Sequence, residues 1–181
     1  MAPVIRKIDK KDIRVIASVN REETIEANYI ARPSADGRGL ALQRVPCAPP
    51  IEVSRWDEED VEKRIGWWAP ELAKGGAMLG AFAKERLTGF AVAGHTRADG
   101  TAELSAIFVD RDYRGKGIGS SLMRAAEDQA RERGIRAMYI MSVPTAHTVD
   151  FYTAQGYRII SIIDKSLTPG LPWDVVLAKQ L

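Results

Sequence analysis

Fourteen residues past the middle of the chain, Asp110 to Met123 (DRDYRGKGIGSSLM), constrain its fold more than any other stretch. They follow a strand-like run, Ala102 to Val109, and a helical pattern opens directly behind them. Gly115, Gly117 and Gly119 sit among Arg114, Lys116 and Ile118. A residue without a Cβ lets the backbone turn tightly and come close to a ligand. A helix start offers unpaired N–H groups and a partial positive charge, so this strand–loop–helix is suited to an anion such as a phosphate. Arg114 and Lys116 add positive charge at the same place.

Spacing narrows the ligand. A nucleotide P-loop needs GxxxxGK followed by Ser or Thr, yet Lys116 is followed by Gly117 and no glycine stands five positions before Gly115. A dinucleotide fingerprint needs GxGxxG near a first strand; Gly115 to Gly119 reads GxGxG, more than halfway along the chain. The pattern that fits is [QR]xxGx[GA], filled by Arg114, Gly117 and Gly119. A second patterned segment follows. The apolar run Ala137 to Val143 is stopped by Pro144, and Thr145 to Tyr157 ends in FYxxxG[FY], filled by Phe151, Tyr152, Gly156 and Tyr157.

In this order, with one helix and one strand between them, the two motifs resemble the GNAT N-acetyltransferase superfamily. The resemblance covers Ala77 to Leu181 well and the part before it poorly. It implies an α/β (α+β) fold with a mixed, mostly antiparallel central sheet of six or seven strands flanked by about four helices, in the order βααβββαβαββ. It also implies acetyl-CoA as co-substrate. The loop Arg114, Gly115, Lys116, Gly117, Ile118, Gly119 and Ser120 would hold the pyrophosphate. Backbone N–H groups of Ile107, Phe108 and Val109, freed at a strand bulge, would face the thioester. Thr145, Thr148 and Tyr152 would meet the cofactor from the second helix. Family members often carry asparagine and alanine where Thr145 and Thr148 stand; threonine can still cap a helix or hydrogen-bond the cofactor.

The implied chemistry is direct attack of a primary amine on the thioester in a ternary complex, with no metal required. The carbonyl must be polarised, the amine must lose a proton and the departing thiolate must gain one. Tyr152 is the candidate acid, a phenol with an ordinary pKa of about 10. Glu103, eleven residues before Arg114, is the candidate base, at the offset of the glutamate used by the histone-acetylating branch. Strand alternation puts Glu103, Ser105, Ile107 and Val109 on one face, where burial would raise a carboxyl pKa. A water chain with no single base is the other reading. His95 and His147, the only histidines, read as structural or exposed.

The acceptor is a small-molecule or peptide amine whose identity the residues do not give. Its wall would come from the part before Gly75 and from the Lys165 to Trp173 loop. Glu22, Glu23 and Glu26 near Tyr29, and Trp56, Trp67 and Trp68 near Asp57 to Asp60, would suit a cationic amine. Solvated helix faces with tryptophans in the core are the plainer reading. A non-catalytic acyl-CoA sensor or interaction module on the same fold would use the same residues, whereas a nucleotide-binding protein lacks its lysine–serine ending.

Composition sets the remaining bounds. The 181 residues suit one domain, with 1–75 as acceptor-side wall and 77–181 as acetyl-CoA-binding core. A net charge of +2 leaves no footprint for nucleic acid or a membrane surface. Cys47 is the only cysteine, which excludes a disulfide framework or a cysteine zinc site within one chain. The start MAPVIRKIDKKD has no apolar core and no run approaches membrane-spanning length, so a cytoplasmic protein is expected. Many family members dimerise, and a homodimer lies within what the resemblance implies.

Overall fold

The computed structural model describes residues 3–36, 38–164 and 173–181. Gly37 of the expected Asp36-Gly37 turn and the expected loop through Pro169-Gly170-Leu171-Pro172 lie outside the described residues. In chain order the elements are β1 (Val4–Ile8), a 3-10 helix (Lys10–Ser18), β2 (Glu23–Pro33), β3 (Leu40–Val53), α1 (Glu58–Ala73), β4 (Ala77–Ala83), β5 (Arg86–Ala93), β6 (Thr101–Val109), a 3-10 turn (Arg111–Tyr113), α2 (Ile118–Glu132), β7 (Ala137–Ser142), α3 (Ala146–Ala154), β8 (Arg158–Asp164) and β9 (Trp173–Gln180). The fold is mixed α/β, with seven strands in a mostly antiparallel main sheet and β2 and β3 in a separate ribbon.

The chain divides into two compact units. One holds Met1–Glu22, Ser54–Tyr139 and Gln180–Leu181; the other holds Glu23–Val53 and Ile140–Lys179. In the first, the strand order is β1-β4-β5-β6-β7, antiparallel throughout except for the parallel pair β6 and β7. Its core gathers Ile8, Ile13, Ile16, Val61, Trp68, Leu72, Met78, Phe90 and Val92. Trp68 meets Phe90 edge-on with ring centroids 5.8 Å apart, and Phe90 stacks on Phe108 at 5.4 Å. Burying aromatic faces of this size dominates the packing energy. The segment Lys10–Ser18 is a 3-10 helix that buries Ile13 and Ile16.

Two ends of α helices follow their residues closely. Asp57 caps α1 by accepting from the Asp60 N–H at 2.7 Å, with Glu58, Glu59 and Asp60 in the first turn. Gly134, at φ 75°, ends α2 with the paired bonds Ile135 N–H to Ala130 O and Gly134 N–H to Arg131 O. In the second unit, β2 and β3 form an antiparallel ribbon, and β8 pairs with β9 antiparallel. The ribbon departs from the single short strand expected at Leu40 to Val45. Its ladder breaks between Ile25↔Ile51 and Ala27↔Pro46, so Cys47, Ala48, Pro49 and Pro50 lie in the irregularity. Prolines that would break a central strand are tolerated at a bulge.

Between β6 and the glycine loop, Asp110 is fully buried and spends both carboxylate oxygens. Oδ2 accepts from the Asn20 N–H at 3.1 Å and from Arg86 at 3.2 Å, and Oδ1 accepts from the Asp112 N–H at 3.1 Å. Burial alone would raise its pKa, but the two N–H donors and Arg86 outweigh that and hold it below the ordinary value. Its stabilising contribution is therefore present at neutral pH and fades as pH falls through the lowered pKa. Asp110→Ala leaves two backbone donors unsatisfied and is expected to lower stability by about 2–3 kcal/mol, read from the shift of the urea midpoint at pH 7.

Candidate active site

The first unit contributes the glycine loop. Gly115 and Gly117 take φ values of 71° and 75°, the left-handed region in which a side chain is strained. Gly117 is the N-cap of α2 and supplies no capping side chain, and the first turn holds no acidic residue. The first helical bond runs from the Ser121 N–H to Gly117 O at 3.0 Å, so the N–H groups of Ile118, Gly119 and Ser120 have no acceptor within the helix. Gly117, Ile118 and Ser120 border a cleft of about 520 Å³ lined also by Tyr113, Lys116, Ser121 and Arg124. An uncapped helix start with partial positive charge, facing a cavity, is a site for a phosphate.

The two basic residues of the loop also make bonds within the protein. The Arg114 guanidinium donates to three backbone carbonyls, Val109 at 3.1 Å, Glu22 at 3.0 Å and Arg21 at 3.0 Å, and so braces the loop from beneath. Lys116 donates to Asp112 O at 2.7 Å and rides over the Tyr113 ring, where it borders the cleft. Arg124 is the cation that the sequence pattern left out. It lies seven residues after Gly117, two helical turns on and on the same side as Ser120 and Ser121, which is the one signal that points to it.

The strand leading into the loop carries the other residues of this unit. Ala102, Leu104 and Ala106 are buried and alternate with half-buried Glu103 and Ser105, and the alternation ends there, Ile107, Phe108 and Val109 all being half-buried. Ile107, Phe108 and Val109 pair with Ala91, Phe90 and Gly89, and the register slips at Ser105, between Val92↔Ala106 and Ala93↔Leu104. On its other edge β6 is laddered over Thr101–Glu103 alone among the described residues. The irregularity thus lies at Ser105, before the expected Ile107 to Val109, which stay in register with β5. The Glu103 side chain is 24% exposed and 3.9 Å from Arg97. Burial raises its pKa, Arg97 lowers it and Glu71 raises it, leaving it above the ordinary glutamate value.

The second unit contributes α3. Thr145 stands at the N-cap but does not cap; its hydroxyl donates to Thr148 Oγ1 at 2.7 Å. Thr148 Oγ1 is 3.0 Å from His147 Nε2, which lies 3.1 Å from Glu23. Tyr152 is buried, packed edge-on against Phe151 at 5.2 Å, with Tyr157 at 6.2 Å. Burial alone pushes its phenol well above the ordinary range, so it holds its proton throughout the neutral region. Of the aromatic and acidic residues considered for an acceptor wall, Trp56 and Trp68 pack into the core of the first unit. Trp67 is exposed beside Lys63 and Arg64, and Glu22 is occupied by Asn20 and Arg55.

Comparison with known proteins sets these features in a family. Residues 44–157 match the profile of the Acetyltransferase (GNAT) family. The chain is 30% identical over 138 residues to streptothricin acetyltransferase of Streptomyces lavendulae, covering 74% of this chain and 70% of that protein. Among solved structures, nourseothricin acetyltransferase superposes with a TM-score of 0.76 at 21% identity, over 99% of each chain. A candidate streptothricin acetyltransferase from Bacillus anthracis, in complex with acetyl coenzyme A, superposes with a TM-score of 0.77 at 17% identity, over 99% of this chain and 100% of that one. At these identities the two structures speak to the fold alone.

Proposed function

The chain belongs to the GNAT acetyltransferase family and is an acyltransferase, and on that premise we propose that it transfers the acetyl group of acetyl-CoA to a primary amine by direct attack in a ternary complex. The observation that carries this reading is the uncapped start of α2 behind two left-handed glycines, open to a cleft bordered by Lys116 and Arg124. Acetyl-CoA supplies an activated acyl group on a thiolate leaving group. The N–H groups of Ile118, Gly119 and Ser120 would hold its pyrophosphate, with Lys116 and Arg124 balancing the charge. Arg114 acts by keeping the loop in shape.

Transfer forms a C–N bond and breaks the C–S bond. Backbone N–H groups among Ile107 to Val109, past the slip at Ser105 and on the edge of β6 that β7 leaves unladdered there, would polarise the carbonyl. Glu103, ionised, would take a proton from the amine, and Tyr152 would give one to the departing sulfur. Thr145 and Thr148 keep their place as cofactor-facing residues on α3 in this reading. The acceptor is a small amine, and streptothricin is the first to assay because the curated relative from Streptomyces lavendulae is named for it.

Isothermal titration of the purified protein with acetyl-CoA, and in parallel with ATP, tests the donor. Micromolar acetyl-CoA binding with no ATP response is expected, followed by CoA release when streptothricin is added. If acetyl-CoA does not bind, the assignment of the loop is wrong and the proposed reaction falls with it.

A further inference from the structure

The connection from β5 to β6 carries a charge cluster that the transfer chemistry leaves unused. Glu71, near the end of α1, lies 2.7 Å from His95 Nδ1 and accepts from the His95 backbone N–H at 3.2 Å. Its other oxygen is 3.4 Å from the Arg97 guanidinium, which in turn is 3.3 Å from His95 Nε2 and 3.9 Å from Glu103. Arginine can only donate, so His95 Nε2 accepts and its Nδ1–H donates to Glu71. Arg97 is therefore held by Glu71, His95 and the Tyr139 hydroxyl while it faces Glu103. The clamp is closely fitted, because a Cβ at Gly94 would stand 2.7 Å from the Glu71 carboxylate.

We propose that Arg97, held in place by Glu71 and His95, is a positioning residue that keeps Glu103 in the ionised, proton-accepting form. The proposal rests on the reading of Glu103 as the base. The groups facing Glu103 are Arg97 from the connection, Glu71 from α1 and Tyr139, its register partner on β7, while His95 touches Arg97 and Glu71. Two carboxylates share one guanidinium here. Burial and Glu71 work against the charge on Glu103, and Arg97 works for it. Removing Arg97 and removing the charge of Glu71 should therefore move the titration of Glu103 in opposite directions. General loosening of the fold would not produce opposite signs.

The test compares wild type with Arg97→Gln, Arg97→Lys, Glu71→Gln and Glu103→Gln. Glu103 must lose its proton to act, so kcat/KM for streptothricin rises with pH through its pKa. Arg97→Gln should move this acid limb up by about one pH unit, Glu71→Gln should move it down, and Arg97→Lys should restore it. The acetyl-CoA dissociation constant should stay the same in all of them. NMR titration of the Glu103 carboxyl carbon in 13C-glutamate-labelled protein reads the same movements without an acceptor. An acid limb that persists in Glu103→Gln would remove the base reading while leaving the NMR result to stand. A limb lost in Glu103→Gln, with Glu103 titrating unmoved in the Arg97→Gln and Glu71→Gln proteins, would overturn the positioning role alone.

Discussion

Gly117→Ala is expected to weaken acetyl-CoA binding by about 100-fold or more while leaving the protein folded. Gly117 has a φ of 75° and caps α2, and a Cβ built on it meets nothing within 4 Å. The substitution therefore strains the backbone without a clash, at a cost of roughly 1–2 kcal/mol in stability. Binding suffers more, because the added group enters the cleft over the N–H groups that would hold the phosphates, and a hydrogen bond to a charged group contributes about 1.5–3 kcal/mol. A control is built into the same helix. Gly134 has the same φ of 75° and equal open space, at the far end of α2. Gly134→Ala should cost similar stability and leave the acetyl-CoA affinity untouched. Titration calorimetry on both variants separates the two effects; equal affinity losses would show that strain, and not the ligand site, is what Gly117 serves.

Tyr152→Phe is expected to lower kcat by about 100- to 10,000-fold, the range for loss of a general acid, with little change in the acetyl-CoA dissociation constant. Among the described residues the Tyr152 hydroxyl has no hydrogen-bond partner, and its ring packs against Phe151 and Tyr157. Phenylalanine preserves that packing and strands no buried donor or acceptor, so the fold should be indifferent to the change. Burial holds the phenol in its protonated form, and no basic limb in kcat from this residue is expected below about pH 10. Steady-state kinetics beside calorimetry check both halves. Unchanged turnover would return Tyr152 to a packing role and leave solvent to protonate the thiolate.

How much of this could be read from residues depends on the range of the interaction. The glycine loop, the helix behind it and its Gly134 end were legible, because turns, caps and periodicity are local. The alternation of β6 was legible for the same reason as far as Ala106. The orientation of Arg114 was not. Spacing says that a cation stands before Gly117, but the carbonyls of Arg21 and Glu22 that claim it are more than ninety residues away. The surroundings of Glu103 were hidden likewise, since Glu71 and His95 reach the Arg97 clamp from a helix and a loop that no short pattern links. The ribbon of β2 and β3 was obscured by Pro46, Pro49 and Pro50. Proline reads as a break until a partner strand shows that the interruption is confined to four residues.

The bare start of α2 has a consequence for the protein as a whole. Most helices close their first turn with a side chain of their own; this one leaves that turn to be finished by whatever occupies the cleft. Bound as proposed, the donor would double as the cap that Gly117 does not supply. Occupancy and rigidity become one variable. A hundredfold excess over the dissociation constant would add about 2.7 kcal/mol to the folded state, felt first at Ile118 to Ser120. If the loop holds the pyrophosphate as proposed, the melting temperature of this chain would report how far the cleft is filled by CoA or its acetyl ester alike.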